Sequence, residues 1–499
     1  MKTDAHARLR WATEGRPGLA LLACAAMGAC AVGPNFSPPP PPKLDRYPDQ
    51  GAPGQLSADG ATQTIELGRP TDPKWWRLFG SPALNDLVAE GLEASPTLVS
   101  ARRALDQSRD QAQAGAGVFF PNLSAAAAGS NERVNPVQLG QRGEGTSFNL
   151  YTVSGAISYA LDIFGGERRQ VEALEAQAGY QRHAVGAAYL LLTSNIVDTV
   201  IARAGYADEV AALADIVKLE SDQRDILDAE YKAGVGALST ELAAEQQLDT
   251  DRQGLALSRQ RLAASETLLQ TLLGREPAEP ALPRPELKDL AVPPDAPVSL
   301  PSQLVRQRPD ILEAEATLHQ TSAQVGVATA AMFPSIDITG DYGVDSLSLA
   351  SLATPGARFW SVGPSIDIPV FRGGALWYNR QAAKAAYLKA AADYRQTVLA
   401  ALEQVADSIK ALDADAAVAG ASRASFEAAE LNHTLSAANR DSGLAADFDA
   451  MTADVAADRA RLTLLSAKAQ RLQDVVALYV ATGGGWNGQA PESGAAAAP

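Results

Sequence analysis

Few side chains in this sequence have the types and spacing that catalysis or metal binding requires. Four histidines and two cysteines are scattered along 499 residues: His6, His183, His319, His433, Cys24 and Cys30. This spacing matches neither a metal site nor a disulfide framework. No nucleophile elbow or phosphate-binding loop occurs, and the many Asp and Glu residues are typical of solvated helix faces. We therefore expect no catalytic residue, no metal and no cofactor, and a protein that is not an enzyme.

The charge balance limits the choice of partners. The chain has 42 Lys and Arg against 58 Asp and Glu, a net charge of -16. Binding a polyphosphate requires an excess of basic residues, so we expect no nucleic-acid partner. Hydrophobic residues make up 46% of the chain and aromatic residues 6%, which indicates a folded protein rich in closely packed, alanine-containing helices.

Cys30 is the one residue for which a covalent modification is predicted. Basic residues precede an apolar run over 19–29, which is too short to span a bilayer but suits a signal peptide over 1–29. Small residues stand directly before Cys30, and Met27-Gly28-Ala29-Cys30 resembles a bacterial lipobox. We predict a lipidated Cys30; the alternative is a plain secretory signal with an incidental cysteine. The prolines at 38–42 then predict a stiff, extended spacer that separates the folded part of the protein from the lipid.

A second group of residues is acidic and falls on one side of alternating segments. These predicted polar-face acids are Asp162, Asp337, Asp341, Asp345 and Asp367. The segments alternate apolar and polar residues over about ten positions, with aromatics near their ends, which suits transmembrane β-strands. An ordinary sheet with one wet face fits this alternation equally well. In a barrel the acids would line the lumen, and acidic rings favour cations.

The elements that carry these residues occur twice. Pro96 and Pro309 are 213 positions apart, and Pro121 and Pro334 are separated by the same 213. We infer two homologous halves, over 74–290 and 295–486. The sequence pattern of each half predicts two strands followed by a long, proline-free helical hairpin. The strands are expected at about 122–134, 149–163, 335–346 and 358–370, and the hairpins at about 166–276 and 372–482. Residues 30–73 form a Pro-rich extension, and 487–499 form a low-complexity tail.

The number of strands constrains the assembly. Four strands cannot close a barrel, because the smallest barrels have about eight. An open sheet edge in lipid would leave backbone groups without hydrogen bonds. If the strands cross a membrane, several chains must share one barrel. We favour a homotrimer with twelve strands, although symmetry also permits a dimer with eight.

Several short motifs carry a family resemblance. They are Cys30 to Phe36, Trp75-Trp76, Arg308-Pro309-Asp310, Phe333-Pro334 and the closing Gly483-Gly484-Gly485-Trp486. In this order they resemble the outer-membrane efflux proteins of the TolC/OprM type, in the NodT-like lipoprotein branch. The resemblance covers about 30–486. It implies a mainly α fold with a small β part, in which a trimeric 12-stranded outer-membrane β-barrel continues into a periplasmic α-barrel.

The resemblance also implies a function. Such a protein is a passive exit duct, anchored in outer-membrane lipid, that docks on a periplasmic membrane-fusion adaptor and an inner-membrane RND-type pump to export drugs or other small toxic compounds. An outer-membrane duct for type I protein secretion or for metal-cation efflux is the nearest alternative. The residues alone also leave open a periplasmic coiled-coil structural or adaptor protein, and an acidic hydrolase.

The tips of the two hairpins are the second predicted site. Gly234 and Gly443 are the expected turn points, with Ser239 following the first. In relatives, residues a few places after the second glycine form the periplasmic constriction and meet the adaptor. The matching residues here are Asp447, Phe448, Asp449 and Thr452. Phe448 and Thr452 stand where the family often has Leu and Asp, so Asp449 is the candidate replacement for that acid. Alternatively, Asp447 and Asp449 are simply favourable charges near a helix N-terminus.

Overall fold

The computed structural model describes residues 31–43, 47, 55–58, 61–135, 140, 142–277, 279–280 and 282–486. The predicted signal peptide, Cys30 and the predicted C-terminal tail lie outside the described residues. The described chain divides into two compact units. The first contains residues 31–37, 109–177 and 318–390, and the second contains the remainder.

The elements alternate between strand pairs and helices. The strands are β1 (Gln55–Ala58), β2 (Ala61–Leu67), β3 (Asn122–Val134), β4 (Thr146–Leu161), β5 (Asp295–Val298), β6 (Ser335–Ser346) and β7 (Arg358–Asp367). The helices are α1 (Pro82–Ala94), α2 (Pro96–Ala116), α3 (Gly166–Lys232), α4 (Leu238–Leu272), α5 (Pro301–Leu304), α6 (Pro309–Ala330), α7 (Ala375–Asp441) and α8 (Asp447–Ala481). The mainly α fold with a small β part is therefore present.

From α2 in the first half and α6 in the second, the two halves contain the same elements in the same order. Helices α3 and α7 each have 67 residues, and the returning helices α4 and α8 each have 35. Proline is absent from all four interiors, where its missing N–H would break the helix. At the level of the sequence the internal repeat stays a prediction.

Two strands end earlier than the alternation suggested. Strand β4 ends at Leu161, because Asp162 turns the chain into α3. Strand β7 ends at Asp367, shortly before Pro369, which cannot donate to a strand ladder. Strand β4 also begins at Thr146, three residues before the expected start.

A small sheet in the second unit was not predicted. Strand β1 pairs antiparallel with β2, and β2 pairs parallel with β5. Tyr47 is buried, and its hydroxyl donates to the backbone oxygen of Ser299 at 3.0 Å. Part of the Pro-rich extension is thus integrated into the second unit through residues more than two hundred positions away.

The sequence motifs of the second unit lie in its core. Trp75 stacks on Tyr479 with ring centroids 5.3 Å apart, and both side chains are fully buried. Arg308 is also buried; it donates to the backbone oxygen of Ala481 at 2.8 Å and pairs with Asp310 at 2.6 Å. This arginine ties the start of α6 to the end of α8. These motifs therefore stabilise helix ends.

Helix α3 contains a stretch apolar enough to cross a bilayer, but 67% of that stretch is buried within the protein. Asp198 lies on α3 beside the buried side chains of Val197 and Val200. Burial raises the pKa of Asp198 to about 7, and the negative charge of Asp474 raises it further. Because the pKa of this carboxyl group is higher in the folded than in the unfolded state, its contribution to the stability of the folded protein depends on pH. The contribution falls as the pH rises from the unfolded pKa to about 7.

We expect Asp198→Asn to raise the midpoint of thermal unfolding at pH 8. The gain should shrink as the pH falls below about 7, because wild-type Asp198 is then protonated in the folded state. It should be small at pH 4, where about half of the unfolded carboxyl is protonated as well. The measurement is thermal unfolding in detergent at pH 8, 6 and 4, with Asp222→Asn at an exposed position of α3 as control. An equal gain at all three pH values would contradict the assignment.

Candidate channel wall and hairpin tips

The first unit contains an antiparallel sheet of four strands in the order β3-β4-β6-β7. Residues directly opposite each other in antiparallel strands point to the same face. The register pairs Ile157 with Gly340, and Gly340 with Val362. On the other face Ala156 pairs with Asp341, which pairs with Ser361. The alternation of each strand is therefore in phase across the sheet.

One face of this sheet is apolar and exposed. Its exposed large side chains are Leu123, Val153, Ile157, Ile338, Tyr342, Trp360, Val362 and Ile366. Trp360 is 72% exposed and Val362 is 70% exposed. A contiguous apolar surface of this kind marks contact with a membrane or another apolar partner. We call these eight residues the apolar face.

The opposite face is small and polar, and it carries three of the five predicted lumen acids near its centre line. Asp337, Asp341 and Asp345 follow one another at intervals of four residues along β6. This interval corresponds to about 13 Å along a strand. The Ser361 hydroxyl donates to the Asp341 carboxylate at 3.3 Å. Asp367 is the last residue of β7 on this same face, and it pairs with Arg372 at 2.9 Å.

The prediction that Asp162 lies on a strand is wrong. Asp162 follows the last residue of β4, and its carboxylate accepts from the backbone N–H groups of Glu167 and Arg168 at 3.1 and 2.9 Å. It also pairs with the Arg168 side chain at 3.1 Å. Asp162 thus stabilises the N-terminus of α3, where helix N–H groups lack partners. Alternation continued through Ile163 in the sequence, so the signal for this turn was the following Gly165-Gly166 pair.

Both outer edges of the sheet are open. Strands β3 and β7 each pair with one neighbour, and no other described strand joins them. The larger part of the apolar face lies on β6 and β7, beside one of these edges. An edge with free backbone groups next to an apolar surface needs another strand if it enters lipid.

The two hairpin tips in the second unit have the same backbone structure. Gly234 and Gly443 have φ values of 77° and 71°, the left-handed region that glycine adopts without strain. Gly234 N donates to Tyr231 O, and Val235 N donates to Glu230 O. Gly443 and Leu444 repeat this pattern one hairpin later. Both are Schellman endings, which satisfy the last helix carbonyls and release the chain to reverse direction.

The predicted tip residues differ in exposure. Ser239 and Asp447 are exposed, whereas Phe448 is half-buried near the start of α8. The Asp449 carboxylate accepts from the backbone N–H of Ala446 at 3.4 Å, so the charge does help to cap this helix. Its side chain is nevertheless exposed.

Thr452 joins the two hairpins. Its hydroxyl accepts from the Gln223 amide at 3.0 Å and donates to the backbone oxygen of Phe448 at 2.9 Å. Farther from the tip, Arg459 of α8 donates to Glu220 at 2.6 Å and to Asp251 at 2.8 Å. Burial raises the pKa of Glu220 to about 7, and the neighbouring Asp251 carboxylate contributes to this rise. These polar contacts between α8 and the first hairpin were not predicted from the sequence.

Comparison with known proteins identifies the family of this chain. The model of the outer membrane efflux protein family matches residues 87–275 and 300–484, about three quarters of the sequence. The chain belongs to the outer membrane efflux protein family. The matched segments contain the four strands, both hairpins and the tips.

Relatives and solved structures agree with this assignment. The chain is 28% identical to Outer membrane protein OprJ of Pseudomonas aeruginosa over 472 residues, covering 94% of this chain and 95% of that protein. It is 25% identical to a Salmonella typhimurium protein named "Probable outer membrane lipoprotein SilC", covering 92% and 96% of the two chains. The solved outer-membrane channel OprN is 26% identical, with a TM-score of 0.78 over 92% of this chain and all of OprN.

These findings confirm the fold class and the general function. The efflux protein is located in the outer membrane and forms part of an efflux channel. The family is one of channel proteins. This efflux channel has two candidate functional sites: the four-stranded sheet of the first unit, and the hairpin tips of the second unit.

Proposed function

We propose that the protein is a homotrimeric exit duct for an RND-type efflux pump. The observation that carries this proposal is the four-stranded sheet with one exposed apolar face and two open edges. Three copies would supply twelve strands and pair every edge, which a single chain cannot do. Each half of the chain, over 74–290 and 295–486, would contribute two strands and one hairpin. A duct needs no catalytic residue, and we infer that the protein is not an enzyme.

The hairpin tips support docking on a periplasmic membrane-fusion adaptor. Val235 and Leu444 directly follow the two turn glycines, and each side chain is 79% exposed. Exposed apolar residues at two equivalent turns provide matching contacts for a partner. Through the adaptor the duct would connect to the inner-membrane pump.

The lumen acids suggest a preference for cations. Asp337, Asp341, Asp345 and Asp367 would each form a threefold ring on the polar face of the sheet. This charge suits cationic drugs and other small toxic compounds. Metal-cation efflux remains a second candidate on the same observation.

The test of the duct is its assembly and conductance. Crosslinking of the purified mature protein in mild detergent should give a trimer, and this trimer should conduct ions across planar bilayers. Monomers in every detergent would contradict the shared barrel. A trimer without conductance would contradict the duct.

The N-terminal residues support a lipid anchor at Cys30. The backbone N–H of Val32 donates to the backbone oxygen of Phe164 at 2.9 Å, three residues beyond β4. Arg169 donates to the Asn35 side chain at 2.5 Å, and the Phe36 ring stacks on His319 at 4.3 Å. Residues 31–36 thus pack within the first unit against α3, α6 and the segment that follows β4. The prediction that the prolines at 38–42 lift the fold off the lipid is wrong, because these contacts precede them.

We expect Cys30→Ser to leave an unprocessed precursor and to abolish metabolic labelling with palmitate. Signal peptidase for lipoproteins acts on a lipidated cysteine, so a serine at this position should block both steps. Cys24→Ser removes the other cysteine within the predicted signal peptide and should leave processing and labelling unchanged. Absence of palmitate from the wild-type protein would show that Cys30 is not an anchor.

A further inference from the structure

The middle strand pair of the four-stranded sheet joins the two halves of the chain. Strand β4 belongs to the first half and β6 to the second, and their register sets Tyr159 opposite Ile338. Just beyond this pair, Phe164 lies between β4 and α3, and Phe333 lies between α6 and β6. Their rings stack with centroids 4.7 Å apart and planes 20° apart. An aromatic pair therefore marks the place where the two halves meet.

Phenylalanines also occupy the two equivalent positions at the outer edges of the sheet. Phe120 lies two residues before β3, as Phe333 lies two residues before β6. Phe371 lies between β7 and α7, as Phe164 lies between β4 and α3. Phe120 is 70% exposed and Phe371 is 86% exposed. Among the described residues, neither of these two rings stacks on another aromatic ring.

Sequence spacing relates the exposed rings to the stacked ones. Phe120 and Phe333 are 213 positions apart, which is the spacing of the proline pairs in the two halves. Phe164 and Phe371 are 207 positions apart. When two copies meet edge to edge, β7 of one copy is to β3 of the next as β4 is to β6 within one chain. Phe371 of the first copy then comes beside Phe120 of the second.

The two spacings also predict which strand residues pair across the boundary. Applied to Tyr159 and Ile338, they give Ile366 on β7 and Ala125 on β3. Ile366 belongs to the apolar face, and Ala125 points to the same face as Leu123, two residues before it. The apolar faces of adjacent copies are then in phase. A shift by one residue would set the apolar face of one copy against the polar face of the next, so the hydrophobic pattern favours this register.

We propose that Phe371 of one copy stacks on Phe120 of the next, and that β7 pairs with β3 in the register that sets Ile366 opposite Ala125. This inference rests on the homotrimer proposed above, and it names the contact that closes each of the three boundaries between copies. The stack removes two largely exposed rings from water, and aromatic pairs gain additional energy from their ring geometry. The strand pairing satisfies backbone groups that a single chain leaves open at both edges of the sheet.

The register is tested by disulfide formation between copies in outer-membrane fractions. Ile366→Cys combined with Ala125→Cys should give covalent trimers after copper-phenanthroline oxidation, because directly opposite strand residues lie within disulfide reach. Val362→Cys combined with Ala125→Cys is the matched control. Val362 lies on the same face of β7, four residues or about 13 Å from Ile366, and should give no covalent trimer. Each single-cysteine variant controls for disulfides that involve Cys30.

The stack is tested by the temperature at which the trimer dissociates in SDS. Phe120→Ala and Phe371→Ala should each lower this temperature. The double variant should lower it by less than the sum of the two single effects, because either truncation already removes the shared contact. Two rings that stabilise the trimer independently would give additive effects, so the double variant separates a stack from two unrelated apolar contacts.

The outcomes separate this contact from the duct itself. If chemical crosslinking shows a trimer but the Ile366 and Ala125 pair gives no disulfide, the register is overturned, whether or not the control pair reacts. Additive effects of the two phenylalanine variants would overturn the stack. Dissociation temperatures equal to wild type would also overturn it and would leave both rings to contact lipid. In each of these cases the trimer still forms and the duct stands, whereas monomers in every detergent would overturn both.

Discussion

Replacing Val362 by arginine is expected to prevent assembly of the channel in the outer membrane. Val362 lies in the middle of β7, is 70% exposed and belongs to the apolar face. An arginine on the lipid face of a barrel costs about 2–4 kcal/mol near the bilayer centre. A trimer would contain this residue three times. The amounts of crosslinked trimer in outer-membrane fractions and of protein in the soluble periplasm measure the effect.

The adjacent residue provides a matched control. Ser361 is on the same strand, and its side chain lies on the opposite face beside Asp341. Ser361→Arg should therefore assemble normally and reduce the preference for cations in planar bilayers, because its charge opposes that of the acids. If both variants assemble equally well, the apolar face does not contact lipid. If both fail equally, β7 does not distinguish lipid from lumen.

Phe448→Ala is expected to raise single-channel conductance in planar bilayers. Phe448 is the second residue of α8 at the predicted constriction, and threefold symmetry would bring three such rings near the axis. Large apolar side chains there can block ions by excluding water. Phe426→Ala makes the same change at a half-buried position of α7, 15 residues before that helix ends, and should leave conductance unchanged.

Asp449→Asn separates the charge at the tip from helix capping. Asparagine retains an oxygen that can accept from the Ala446 N–H, so the start of α8 should remain intact. We expect a weaker cation preference and a smaller change in conductance than for Phe448→Ala. A Phe448→Ala channel as closed as wild type would place the constriction elsewhere, and the tip around Ser239 would then be the next candidate.

Local sequence patterns were sufficient for the elements of the channel. Alternation located β4, β6 and β7 and, more weakly, the Ala-rich β3. The absence of proline located the hairpins, because both signals act within one element. Gly234 and Gly443 marked the turns, since few other residues adopt their backbone conformation without strain. The strand count alone indicated that one chain cannot close a barrel. The family motifs indicated the same channel fold, through their resemblance to outer-membrane efflux proteins.

Contacts between distant segments depended on the tertiary structure. The pairing of β2 with β5 joins residues about 230 positions apart, and no local pattern encodes that partner. Asp162 continues the strand alternation in the sequence. In the structure, however, its carboxylate accepts a hydrogen bond from the N-terminus of the helix that follows. The link from Arg459 to Glu220 likewise joins residues from separate helices. Periodicity determines which face of an element is buried, whereas only packing determines which other face it meets.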